Sequence, residues 1–296
     1  MTDSQKDIWS HWMLDRRFGG DPERMKMMFD FLYPLRDKVL SHIHLKEKET
    51  LLDVGCGDGL IAFGALQKFE TCRVIFSDIS QDLLEHSEAL AREMNLRDRC
   101  QFVRASADDL SPLEDGSVDG VTTRSVLIYV SAKQQAFNEF HRVLKEGGEL
   151  SIFEPINRFA YPEPPNRFDG FDVTPVADLA RRLAALYQRI QPPDTDPMTD
   201  FDERDLVSQA EKAGFQEVHL ELQIEITPLE EVPHSQADWS AFLHTAGNPK
   251  IPTLAEAMQE ALTSAEAERF TAHLRPLVEA GKGVRRSAVA YLWGTK

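Results

Sequence analysis

Three glycines, Gly55, Gly57 and Gly59, alternate with other residues in LLDVGCGDG (residues 51–59). A short apolar run precedes them and a helical pattern follows. Glycine permits positive φ and close backbone approach, and the helix that starts behind such a turn offers free N–H groups. A plain strand-to-helix turn would satisfy the glycines alone. A dinucleotide site would need G-x-G-x-x-G with pyrophosphate on the helix N-terminus. Here Leu60 occupies the third glycine position, and Asp53 stands just before the turn. A carboxylate there opposes a pyrophosphate and attracts an ammonium group, so the turn reads as a seat for an amino-acid-like ligand.

Two charged residues fall at strand ends. Arg124 closes the fourth apolar run in TTRSVLIYV (122–130), and Glu154 closes the fifth in FEPINR. Open α/β sheets bind ligands at the carboxyl ends of their strands. Arg124 is therefore a candidate for holding an anionic group, with pairing to a nearby carboxylate as the competing role. Glu154 is a candidate general base or acceptor for a substrate amine, with capping of a loop as the competing role. The N-terminal segment carries Trp9, His11, Trp12, Arg16, Arg17 and Phe18. It reads as a lid, although a tryptophan pair such as Trp9 and Trp12 more often anchors a helix to the core. His244 reads as structural.

The elements that must position these residues follow from periodicity. Strands are expected at Leu51–Val54, Arg73–Phe76, Gln101–Val103, Val118–Thr122 and Glu149–Phe153. Amphipathic helices separate most of them, so a parallel, doubly wound sheet is expected. Asp21 and Pro22 should start an early helix carrying Met25, Met28, Phe29, Leu32 and Leu35. Ser80 should cap the helix after the second strand. Ser131 with Gln134 reads as a capping box, and Gly147–Gly148 as the end of that helix. Residues 155–200 hold eight of the sixteen prolines and break the rhythm. Within them Thr174 should cap a helix begun by Pro175. A helix at 203–213 closed by Gly214, a strand at 215–226, a Thr253…Glu256 capping box and a final strand from 284 or 285 to Trp293 complete the pattern.

The chain has 296 residues and a net charge of −16. Such a balance is poor for binding phosphate polymers, so no nucleic-acid partner is expected. No apolar run reaches the ~20 residues of a membrane span. No signal segment is seen, so the expected location is cytoplasmic, as monomer or homodimer. Cys56, Cys72 and Cys100 form no CxxC pattern and read as free thiols; no metal site is expected.

With these residues in view, LLDVGCGDG resembles motif I of the class I S-adenosylmethionine (SAM)-dependent methyltransferases, and FSDIS (76–80) resembles their second motif. The core is most similar to small-molecule, ubiquinone-biosynthesis-like members. The resemblance implies an α/β, Rossmann-like, mostly parallel seven-stranded sheet with helical cap insertions. Its expected divisions are a helical lid at 1–44, a SAM-binding core at 45–154, an insertion at 155–199, core again at 200–227, a second helical insertion at 228–283 and the last strand at 284–296. It also implies SAM contacts at Gly55, Cys56, Gly57 and Gly59, with Asp53 near the amino group. Asp78 would accept the ribose hydroxyls beside Ile79. ASADDL (105–110) would frame the adenine through Ser106, Ala107 and Asp108; Ser106 stands where an aspartate is common, so Ser106 or Asp108 takes that role. Arg124 and Glu154 would face the acceptor, and Arg124 or Arg16–Arg17 the SAM carboxylate. The implied reaction is methyl transfer to oxygen, nitrogen or carbon of a small organic molecule. A protein or RNA acceptor, a non-catalytic SAM-binding module and, more remotely, a nicotinamide oxidoreductase are the alternatives. The (D/N)PP(Y/F) motif of nucleic-acid amino methylation is missing after the fourth strand. The scattered cysteines speak against thiolate-dependent arsenite methylation.

Overall fold

Parallel strands covered on both faces bury short, near-continuous apolar stretches, and Leu51–Leu52, Val74–Phe76 and Ile152–Phe153 are buried in this way. The computed structural model describes residues 6–17, 22–231 and 238–296, with 22–31 and 231 described by backbone alone. The chain opens with α1 (Ile8–His11), a π-helical turn at Trp12–Arg16, and α2 (Pro22–Ser41). Strands and helices then alternate as β1 (Thr50–Val54), α3 (Leu60–Lys68), β2 (Arg73–Asp78), α4 (Gln81–Glu93), β3 (Cys100–Arg104), β4 (Val118–Arg124), α5 (Lys133–Val143) and β5 (Leu144–Pro155). A two-residue hairpin, β6 (Arg167–Phe168) and β7 (Phe171–Asp172), precedes α6 (Ala177–Ile190). Then come α7 (Glu203–Ala213), β8 (Gln216–Pro228), α8 (Trp239–His244), α9 (Leu254–Ala261), α10 (Ser264–Glu279) and β9 (Val284–Thr295).

The seven-stranded sheet has the order β3-β2-β1-β4-β5-β9-β8. The first five are parallel, and β9 pairs antiparallel with both β5 and β8. Strand order reverses between β1 and β4, which opens a crevice at their carboxyl ends. Adjacent side chains on β1 point to opposite faces. Leu52 packs with Phe137, Phe140 and Leu206 under α5 and α7, whereas Leu51 packs with Val39, Leu40, Ile61 and Leu84 under α2, α3 and α4. Thus α2, expected within a lid, belongs to the sheet's helical layer. The expected burial of Met25, Met28 and Phe29, and the Asp21 cap, lie outside the described side chains.

The two insertions share a third core. Leu179, Leu183 and Leu186 of α6 pack against Trp239, Leu254, Met258, Phe270 and Leu274. Burying each such side chain contributes roughly 1.5–3 kcal/mol, enough to hold the segments together as one cap. An isolated bridge between Phe171 and Gly283 ties this cap to the start of β9.

Local signals behave unevenly. Ser80 Oγ accepts from Leu83 N–H and starts α4, and the Thr253–Glu256 box starts α9. Gly214, at φ 102°, closes α7. The Ser131–Gln134 box does not form. The N-cap of α5 is Ala132 without a side-chain bond, and Gln134 Nε2 instead reaches Asn138 and the Gln209 carbonyl on α7. Nor do Gly147 and Gly148 end that helix. It stops at Val143 because Leu144 is already buried in β5 beside Val118; Gly147 N–H donates to the Lys296 carbonyl. Thr174 lies in a 3-10 turn (Thr174–Val176) whose backbone is held by Asp172, and α6 begins only at Ala177. Among the described residues no helix is long and apolar enough to cross a membrane.

Candidate active site

A cavity of about 330 Å³ lies at the carboxyl ends of β1, β2 and β4. That is within the size range of small-ligand sites. Its floor is the glycine turn. Gly55, Gly57 and Gly59 all have positive φ. A Cβ on Gly55 would sit 2.3 Å from Val126 Cγ2, and one on Gly57 would sit 3.0 Å from Met13. Gly55 needs glycine for space as well as conformation, whereas at Gly57 the flexible Met13 tip can give way and the φ of 56° is the constraint. Gly59 starts α3 in the left-handed region and faces Phe63 and Phe76 rather than the cavity.

Asp78 closes β2 and lines the cavity. Its Oδ2 accepts from Gly57 N–H at 2.9 Å and its Oδ1 from Ser80 N–H at 2.9 Å. Burial pushes its pKa up, against those two amides. Each oxygen keeps lone-pair capacity, so the carboxylate suits a pair of hydroxyl donors. Beside it Ile79 leaves 42% of its surface exposed, an apolar platform next to Leu83. Ala105, Ser106, Ala107 and Asp108 form the adjoining wall, with Ser106 Oγ bonded to Asp108.

Asp53 lies behind the turn, only 2% exposed. Thr122 Oγ1 donates to its Oδ1 and Ala62 N–H to its Oδ2. Burial raises its pKa to about 7 against those bonds, with Arg124 also favouring the charged form. A cation nearby would complete it electrostatically. Cys56 is buried behind the turn with its thiol pKa raised well above normal, so it is an inert filler.

The other end of the cavity is built by the chain after β4. Arg124 lines it, and Ser125 turns the backbone at φ 56°. The next three amides converge on one carboxylate. Val126 and Leu127 N–H donate to Glu154 Oε1 at 2.8 and 2.9 Å, and Ile128 N–H to Oε2 at 3.3 Å. Glu154 is fully buried, and burial raises its pKa to about 7. It does not border the cavity. The expected catalytic role of Glu154 is thus replaced by a positioning one: it holds the turn that carries Val126 and Tyr129 to the site. Lys133, also buried, fixes the end of the same turn through the Val130 carbonyl and reaches Pro197 and Asp200.

The N-terminal segment covers this end. The Trp9 ring meets Tyr129 edge-on at 4.9 Å, and Trp12 Nε1 donates to the Ala246 carbonyl of the cap at 2.8 Å. Asp7 caps α1 and accepts from Ser80 Oγ. Arg17 lines the cavity across from Arg124; burial, then Arg124, lowers its pKa to about 10. Arg16 points away to Glu256, and His11 pairs with Asp15 on the exposed side. Among the described residues His244 bonds its own helix, at the Ser240 carbonyl. Burial pushes the Tyr129 hydroxyl up to about 12, so it stays a donor at neutral pH.

Of the expected ligand contacts, Gly55, Gly57, Asp78, Ile79, Ser106, Ala107, Asp108 and Arg124 line one cavity. Asp53, Cys56 and Gly59 support it from behind. Tyr129, Met13 and Ser125 also line it and carry no distinctive spacing. Tyr129 was nevertheless foreshadowed by its place just after the fourth strand.

Residues 52–152 match the family model described as a methyltransferase domain. The sheet order, the glycine turn and Asp78 agree with that match. The matched stretch is about a third of the chain, and within it the likeness is to a methyltransferase domain. The chain is 31% identical over 111 residues to the ubiquinone/menaquinone biosynthesis C-methyltransferase UbiE of Escherichia fergusonii, covering 37% of this chain and 44% of that protein. It is 38% identical over 121 residues to an uncharacterized 37.1 kDa protein in a transposon of Streptomyces fradiae, covering 40% of this chain and 33% of that protein. The match thus spans less than half the length of these curated relatives. The fold is similar to geranyl diphosphate C-methyltransferase from Streptomyces coelicolor A3(2), with TM-score 0.53, 17% identity and coverage of 96% of this chain and 89% of that one. The residues of the cavity fit SAM. Asp78 suits a ribose diol, Ile79 and Leu83 an aromatic base, and the glycine turn with buried Asp53 an amino-acid ammonium group.

Proposed function

We propose that this methyltransferase core transfers the methyl group of SAM to a small organic acceptor. The observation that carries the reading is Asp78, anchored by two backbone amides and turned into a cavity floored by glycine. When bound, SAM supplies a methyl group already activated by its sulfonium. The chain's own residues then have three tasks. Gly55 and Gly57 admit close backbone approach, while Asp78 and the 105–108 wall fix orientation; alignment of this kind is a large part of such catalysis. Trp9, Trp12 and Met13 exclude water from the end where transfer would occur. Arg124, Arg17 and Tyr129 orient the acceptor.

No strong base faces that end among the described residues. Tyr129 holds its proton, and the Glu154 carboxylate is fully engaged by amides. The acceptor is therefore expected to arrive as a competent nucleophile. Cross-links from Trp12 to Ala246 and from Arg16 to Glu256 close the lid against the cap, which favours a small acceptor over a macromolecule. The likeness to a quinone-pathway methyltransferase supports the same class.

Calorimetry with SAM and S-adenosylhomocysteine (SAH) tests this. Saturable binding is expected, and none at millimolar ligand would sink the proposal. Asp78→Ala should weaken SAH at least about tenfold, or about 1.4 kcal/mol. An unchanged affinity would place the ribose elsewhere.

A further inference from the structure

One carboxylate fastens the N-terminal segment to the cofactor side of the cavity. Asp7 Oδ1 caps α1, accepting from Trp9 N–H at 3.0 Å and Ser10 N–H at 2.9 Å. Its Oδ2 accepts from Ser80 Oγ at 2.6 Å, and its own N–H donates to Asp82 Oδ2 at 2.7 Å. Ser80 is buried and gives its one O–H to Asp7. The same hydroxyl oxygen accepts from Leu83 N–H and starts α4, while the Ser80 N–H donates to Asp78 Oδ1. One serine thus joins the lid helix to the acid that suits a ribose diol. Trp9, whose amide Asp7 holds, meets Tyr129 edge-on at 4.9 Å, and both residues line the cavity. The contacts therefore run unbroken from Asp78 through Ser80 and Asp7 to the far end of the cavity.

Like charge opposes this closure. Asp7 acts to raise the Asp78 pKa, so the Ser80 bond and the helix cap must outweigh a repulsion between two carboxylates. A contact balanced in that way responds to whatever restrains Asp78. A diol seated on Asp78 would hold that carboxylate and, through the Ser80 amide, the hydroxyl that meets Asp7. We propose that Asp7 is a positioning residue that couples occupancy of the ribose site to closure of α1 over the transfer end. Coupling of this kind is reciprocal: the ligand favours the closed segment, and the closed segment holds the ligand by the same factor. Asp7 does not itself line the cavity; it acts through Ser80 and Trp9. The inference rests on the methyl-transfer reading and concerns how that site is closed.

The test compares SAH with its 2′,3′-dideoxy analogue on the full-length protein. Fluorescence of Trp9 and Trp12, which line the cavity, follows binding and, in stopped flow, dissociation. Asp7→Asn keeps one side-chain oxygen, and the Trp9 and Ser10 amides take both of its lone pairs. It can therefore cap α1 but not hold Ser80 as well. Asp7→Ser, also a good cap, is too short to do both and guards against a fault peculiar to one variant. Without ligand both should melt within about 4 °C of the parent. A larger fall would make Asp7 a plain structural contact and overturn the positioning role. Both variants are expected to bind SAH about fivefold or more weakly, chiefly through faster dissociation. The dideoxy analogue has no diol for Asp78 and should lose less than about twofold. Equal losses for the two ligands overturn the coupling, since Asp7 would then only steady the lid. Parent-like SAH affinity in both variants overturns it too and leaves Asp7 as a helix cap. The methyl-transfer reading fails on a different result. A parent protein that binds no SAH at millimolar concentration loses cofactor and coupling together, whereas one that binds SAH beside unchanged variants loses the coupling alone.

Discussion

Replacing Glu154 tests the account of the turn after β4. Its carboxylate accepts from Val126, Leu127 and Ile128, of which the last two are buried. Glu154→Ala leaves at least two buried N–H groups unpaired, at roughly 1–3 kcal/mol each, so a loss of about 2–6 kcal/mol is expected. The pH dependence is more diagnostic. Burial raises Glu154 from 4.5 to about 7. A carboxyl that binds its proton more tightly when folded stabilises the fold fully below its unfolded pKa. That contribution is lost as pH rises through the folded pKa. At about 1.4 kcal/mol per pH unit the whole window is worth about 3 kcal/mol. Work between about pH 6 and pH 8 stays clear of the isoelectric point near 5.0. About 1.4 kcal/mol of the contribution should disappear over that range. Glu154→Gln keeps one carbonyl acceptor and does not titrate, so it serves as the reference. Urea unfolding of parent and Gln variant at both pH values gives the difference. The parent's advantage should shrink by about 1.4 kcal/mol from pH 6 to pH 8. An advantage that grows instead would mean the three amides hold the carboxylate charged, and the burial reasoning would be wrong.

Three further outcomes follow from the same geometry. Gly55→Ala combines a φ of 63° with a Cβ 2.3 Å from Val126; a stability loss of about 2 kcal/mol or more and at least tenfold weaker SAH binding are expected, and an unchanged melting temperature would contradict it. Trp12→Phe removes the bond to Ala246, worth roughly 1–2 kcal/mol; SAH should dissociate about tenfold faster in stopped-flow, and an unaltered off-rate would argue against a closed lid. Asp53, with its pKa near 7, should release a proton when the SAH ammonium group binds. Calorimetry near pH 6.5 in buffers of different ionisation enthalpy should then show up to about one proton leaving, and proton uptake would refute the placement.

The sheet and the cofactor half were legible because their determinants are local. A glycine turn, a following helix and an acid at the end of β2 lie within thirty residues and each has a stereochemical reason. The acceptor half was not, because its contacts are distant in sequence. Glu154 looked like a candidate base, yet its partners are amides 26–28 residues away, fixed only once β4 and β5 are adjacent. The Ser131–Gln134 signal failed for a similar reason: Gln134 found a better partner on α7. That α2 joins the sheet's helical layer while residues 7–17 cover the site was hidden in a single N-terminal segment. The two insertions looked separate because their shared core joins α6 to helices beyond β8.

The placement of β9 bears on how the chain is made. It follows every other element in sequence, yet it lies between β5 and β8. As the polypeptide leaves the ribosome, β1 to β5 can assemble promptly, because each new strand finds its neighbour already present. β8 cannot; its sole partner in the sheet is synthesised only after residues 229–283. Meanwhile the edge of β5 and the whole of β8, with Ile224 and Ile226 left exposed even in the finished fold, present unpaired backbone to other chains. Nascent chains are most vulnerable in that interval, and a chaperone or slow concentration-limited expression would act there. The strand that completes the sheet is also the step that ends its exposure.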